Sequence, residues 1–126
     1  MSIKADALAE ITDVVKSYVE GMVWGDEARL RAAFHPGACC IGHFDGGLEW
    51  DDLNAFIAGV VGETARPGAE IYWQINGVDI VGDTAVVRVE DDWAGMRFDD
   101  TLTLLNHGGR WQIVSKLFWL RPAADT

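Results

Sequence analysis

The 126-residue sequence predicts an α+β fold, with helices in its first half and an antiparallel sheet in its second, as a single domain over residues 1–126. Two observations carry this prediction. Apolar residues recur at steps of three and four up to Val61, and at every second position from Ala69 onward. The alternating runs are separated by short turns rich in Gly and Asp, which is the pattern of a meander. Hydrophobic residues make up 49% of the chain, enough at this length to fill one core without a metal or a disulfide.

The first helix is expected to run to Trp24. Leu8, Ile11, Val15, Tyr18 and Met22 form its apolar stripe, widened by Val14 and Val19. Gly25 breaks it, and Asp26 is a natural N-cap for a second, short helix that buries Leu30, Ala33 and Phe34. Pro36 and Gly37 are expected to stop that helix. A short strand over residues 38–44 and a turn at Asp45-Gly46-Gly47 follow. Asp51 or Asp52 then caps a third helix with Leu53, Phe56, Ile57, Val60 and Val61 inward, ending at Gly62. Residues 63–68 read as a loop. Four strands come next, with turns at Gly82-Asp83, Ala94-Gly95 and His107-Gly108-Gly109. The tail from Arg121 is expected to fray.

Net charge is −10, from 20 acidic and 10 basic residues. Such a field repels phosphate backbones and anionic lipids, so neither nucleic acid nor a membrane surface is expected as a partner. Cys39 and Cys40 are adjacent, and in a strand their side chains point to opposite faces, which disfavours a bridge. Two reduced thiols, no signal peptide and no apolar run long enough to span a bilayer suggest a cytoplasmic protein. His35, His43 and His107 lack metal-site spacing, and Asp45-Gly46-Gly47 lacks the serial acids of a calcium loop. The glycine-rich turns join strand to strand, unlike a nucleotide loop, so no cofactor and no metal is expected.

Several segments together resemble a known family. They are Tyr18-Val19-Glu20-Gly21 with Gly25-Asp26, Phe34-His35-Pro36-Gly37-Ala38, Gly82-Asp83-Thr84-Ala85-Val86-Val87, and Gly109-Arg110-Trp111-Gln112-Ile113-Val114 before Lys116. The chain resembles the NTF2-like superfamily, in its SnoaL-like or "putative lumazine-binding" branch. That resemblance implies a cystatin-like cone, with three N-terminal helices on a curved, mostly antiparallel sheet around a pocket. It also implies homodimers built on the outer sheet face, and members ranging from isomerases, dehydratases and hydrolases to plain binding proteins. The ketosteroid isomerases of this fold use two carboxyl groups on the sheet. Aligned on the Phe34-His35-Pro36 and Asn106 landmarks, those positions fall on Gly42 and Thr101; a slip of one residue would give His43 and Asp100 instead.

Within such a pocket, His43 is a candidate general base, or else a strand-end histidine bonded to backbone or water. Asp91 continues the apolar face of Ala85, Val87 and Val89, so it is either a desolvated acid with a raised pKa or an ordinary turn acid. Trp73, Trp93 and Trp119 share one parity and are candidates, with Phe56, for a wall that holds a flat ligand; core packing is the alternative. Lys116 is expected on the outer surface, paired with Glu90 or Asp92. Function is therefore expected to be binding of a small hydrophobic or aromatic molecule. The alternatives are a cofactor-free enzyme using an Asp91–His43 acid–base pair, or a dimeric assembly domain with a filled pocket.

Overall fold

The computed structural model describes residues 3–63 and 68–123. Three helices, α1 (Ile3–Trp24), α2 (Glu27–Ala33) and α3 (Leu53–Glu63), cover one face of a six-stranded sheet. Its strands are β1 (Phe34–Phe44), β2 (Gly47–Asp52), β3 (Trp73–Val81), β4 (Thr84–Trp93), β5 (Met96–His107) and β6 (Arg110–Leu120). The order across the sheet is β2-β1-β6-β5-β4-β3. All neighbours are antiparallel except β1 and β6, which run parallel. That parallel pair joins the N-terminal hairpin to the C-terminal meander and lets one inner face serve both.

Local sequence accounts for most boundaries. The apolar stripe of α1 is buried at Ile11, Val15, Tyr18, Val19 and Met22, whereas Leu8, nearer the N-terminus, is exposed. Gly25 ends α1 in the left-handed region, and the Asp26 N–H bonds back to the Gly21 carbonyl at 2.9 Å. Asp26 then caps α2 by accepting from the Arg29 N–H, and Asp52 caps α3 by accepting from the Ala55 N–H. The loop expected over residues 63–68 lies partly outside the described residues. At Ala94-Gly95 both φ angles are positive, the primed turn that suits the twist of a hairpin.

Three boundaries differ from expectation. Strand β1 starts at Phe34, so Pro36 and Gly37 interrupt a strand and not a helix. Its pairing to β6 shifts register between Phe34 and Cys39, and β2 pairs only from Cys39 onward, so Pro36 sits where no ladder bond is asked of it. Strand β2 was not expected. Leu48 and Trp50 alternate with Glu49 and Asp51, but the apolar pair faces out and is exposed. Arg121 is held: its N–H donates to the Arg97 carbonyl, and its guanidinium pairs with Asp99 and Glu90.

Two bulges set which residues face the helices. On β3, Ile75 pairs with Val89 and Gly77 with Arg88, leaving Asn76 unpaired. On β6, Ile113 pairs with Leu104 and Ser115 with Thr103, leaving Val114 extra. An extra residue reverses strand parity beyond it. Trp111 and Ile113 therefore face inward, and past Val114 it is Lys116 that is buried, while Trp119 is exposed.

Candidate functional site

The open end of the inner face holds a cavity of about 360 Å³ between α1, α3 and the sheet. Four aromatic rings line it in mutual contact. Phe44 stacks on Phe98 at 6.3 Å between centroids, Trp93 lies 6.4 Å from Phe44 and 6.3 Å from Phe98, and Phe118 meets Phe98 edge-on at 6.1 Å. Trp93 is oriented by its indole N–H, which donates to the Met22 carbonyl at 3.2 Å. Phe56 of α3 also lines the space. Asp45, Glu49, Asp51 and Glu63 add a partly exposed acidic rim. Partial burial and the charge of Asp51 push the Glu49 carboxyl above its usual range.

Beside these rings lies a buried polar group drawn from four elements. Asp91, Asp100 and Lys116 are the buried charged residues among those described, at 1%, 2% and 5% exposure. Sheet register explains their meeting. Val89 faces Asp100 across β4 and β5, which makes Asp91 and Asp100 diagonal neighbours on one face. Phe118 faces Asp100 across β5 and β6, so Lys116 is diagonal to Asp100 as well. Tyr18, buried on α1, donates its hydroxyl to Asp100 Oδ2 at 2.5 Å.

Neither Asp91 oxygen, nor Asp100 Oδ1, receives a bond from another protein donor among the described residues. The two carboxyl groups are thus buried as diagonal neighbours on one face, with three of their four oxygens unpartnered among the described residues. Burial first, then the charge of the neighbouring Asp100, raise the Asp91 pKa to about 10. Burial, and then the charges of both aspartates, push Tyr18 far above its ordinary value, so it stays a donor. The charge of Lys116 acts against the Asp91 shift.

Lys116 itself has an unusual setting. Its Nζ donates to Met22 Sδ at 3.3 Å and lies over the rings of Phe56 at 4.6 Å, Tyr18 at 5.1 Å and Phe118 at 5.4 Å. Among the described residues no carboxylate oxygen comes within ion-pair distance of it. It lines the cavity. A lysine expected on the outer surface is thus the cation of the site. The outer acids Glu90 and Asp92 pair with Arg97, and Glu90 also with Arg121.

The remaining candidates divide. Asp91 is buried on the inner face, next to but not lining the cavity, and Trp93 and Phe56 line it. His43 is exposed, because Gly42 and Phe44 take the inner parity of β1 and leave His43 on the opposite face. The Asp91–His43 pair is therefore not assembled. Trp73 stands beside Asp91 in register but packs half-buried against the core, away from the cavity lining. Trp119 is 59% exposed on the outer face, so only Trp93 of the three tryptophans belongs to the wall. On β5, Asp100 and not Thr101 takes the buried inner position. Phe98 and Asp100 were legible in the alternation Phe98, Asp100, Leu102, Leu104; Lys116 and Phe118 were hidden by the bulge. Among the described residues, no three His, Cys, Asp or Glu side chains come together as a metal site requires. No helix there is long and apolar enough to cross a membrane.

The family described as "Putative lumazine-binding" matches residues 6–119. The crystal structure of an NTF-2 like protein of unknown function from Silicibacter pomeroyi DSS-3 superposes with a TM-score of 0.91 at 41% identity, covering 96% of this chain and 100% of that one. A second, from Shewanella baltica OS155, gives 0.87 at 28% identity, over 98% of this chain and 100% of the other. Among curated proteins, the aldolase FrzH of a Cladobotryum species is 28% identical over 107 residues, 83% of this chain and 84% of that protein.

Proposed function

The chain belongs to the "putative lumazine-binding" family of NTF2-like proteins, and from that premise we propose that its cavity holds a small, uncharged, ring-bearing carbonyl compound. The observation that carries this reading is Lys116, a buried ammonium lining an aromatic cavity with no carboxylate paired to it. An uncharged carbonyl oxygen is the acceptor this donor lacks, and aromatic faces suit the attached ring. The acidic rim and the net charge of −10 disfavour polyanionic ligands. The test is a titration with 2-naphthamide followed by tryptophan fluorescence. Saturable quenching that is lost in Trp93→Phe is expected; identical curves for both proteins would sink the reading.

A cofactor-free enzyme is the second reading, favoured by the similarity to a protein named as an aldolase. It no longer involves His43. Lys116 would polarise the carbonyl, and Asp91, kept protonated chiefly by burial, would give a proton and take it back.

We also propose that a second copy of the chain covers the outer face. Ile41 pairs with Trp50 on one side and Leu117 on the other, forming an apolar row across three strands, with Leu48 and Trp119 beside it. Monomers seldom leave such a patch open. The neighbouring acids Glu90, Asp92 and Asp99 are already matched by Arg97 and Arg121, so two acidic chains can approach there.

A further inference from the structure

We propose that the Lys116 amine condenses with the carbonyl carbon of its ligand to form a protonated iminium, making the cavity a site of amine catalysis on aldehydes or ketones. This rests on the reading that a carbonyl group meets Lys116.

The sequence contains three lysines, Lys4, Lys16 and Lys116. Lys16 is exposed on α1, whereas Lys116 is buried and lines the cavity. A lysine kept for an ion pair would sit on a carboxylate; this one rests on a thioether and ring faces instead. None of those contacts engages the nitrogen as tightly as a carboxylate would. An amine held in an aromatic pocket beside a proton acceptor has the surroundings of a nucleophilic lysine.

The acceptor is the buried carboxyl pair: both Asp91 oxygens and Asp100 Oδ1 are without a donor among the described residues. The Lys116 ammonium gives one proton to the pair through one water. The freed lone pair forms the C–N bond, and the C=O π electrons move to oxygen. The nitrogen loses a second proton to that oxygen, giving a neutral carbinolamine. The pair then returns its proton to the hydroxyl, the C–O bond breaks, and water leaves as the nitrogen lone pair forms C=N⁺. In sum, an ammonium and a carbonyl become a protonated iminium and one water. Charge is +1 before and after, so the step leaves the net charge of the buried site unchanged. No oxidant, reductant or metal enters. The iminium withdraws electrons from the adjacent carbon, which eases loss of its proton or cleavage of the bond beyond it. The reaction class is aldol or retro-aldol chemistry.

The experiment uses the full chain with 2-naphthaldehyde and sodium cyanoborohydride near neutral pH, followed by peptide mapping. The expected result is one naphthylmethyl adduct on Lys116, formed at least about tenfold faster than on Lys16 or the α-amine, and slowed by 2-naphthamide. Labelling of Lys116 no faster than of Lys16, while 2-naphthamide still quenches Trp93, overturns the iminium and leaves the binding reading intact. Absence of both selective labelling and quenching overturns the two together.

Discussion

Asp91 shows what a single residue does when its environment is decided by its neighbours. Its proton is bound more tightly in the folded chain than in the unfolded one, since burial and Asp100 raise its pKa to about 10. Below about pH 4 both states hold the proton and pH does not discriminate between them. As pH rises from about 4 to about 10, the unfolded chain ionises while the folded one does not. Stability then falls by up to about 1.4 kcal/mol per pH unit. Lys116 opposes this shift, while Asp100 and Asp92 add to it. Asp91→Asn keeps a donor to Asp100 and removes the titration. It is expected to melt at a higher temperature than the wild type at pH 8, with the gap widening from acid to alkaline pH. Melting curves that run parallel across that range would exclude a raised Asp91 pKa.

At the scale of the elements, the site depends on how β1 and β6 approach one another. Gly42 faces Phe118 in the parallel pair. A Cβ at position 42 would stand 2.6 Å from the Phe118 carbonyl oxygen and 2.7 Å from its ring. The oxygen belongs to backbone and cannot swing aside. Gly42, one of the positions at which the resemblance would set an isomerase carboxylate, therefore has no room for a side chain. Gly42→Ala is expected to destabilise the fold by about 1–3 kcal/mol in urea titrations, the usual magnitude for overpacking. It should also weaken 2-naphthamide binding, because Phe118 must move. Stability unchanged from wild type would mean that the strands separate freely. The bulge at Val114 acts alongside: by reversing parity it turns Lys116 and Phe118 inward in place of Leu117 and Trp119.

At the scale of the whole molecule, the two faces of the sheet have different tasks. The inner face carries the core and the cavity; the outer face carries the row Trp50, Ile41 and Leu117. If a second copy covers that row, sedimentation should give a dimer, and Trp50→Glu with Leu117→Glu should give a folded monomer with an unchanged circular dichroism spectrum. A wild-type monomer at high concentration would leave the row to another partner. Added salt should favour the dimer, because it screens the repulsion between two chains of net charge −10.

Sequence alone determined the helices, the four-stranded meander and every hairpin turn of it, because these depend on local periods and on Gly and Asp at tight turns. It also put Phe56 on the apolar face of α3 and set Asp91 in line with the apolar positions of β4, but whether Asp91 stayed on that face or emerged at the turn was settled by the unbroken register of β4 with β5. The cation of the site, the partner of Asp91 and the outward turn of His43 were decided only by the tertiary structure. Lys116 follows an extra residue visible only against the register of β5, and Tyr18 reaches Asp100 from a helix distant in sequence. His43 turned on a single step of parity in β1, where Gly42 must face Phe118. Alternation gives two faces but not their identity; packing against the helices supplies it.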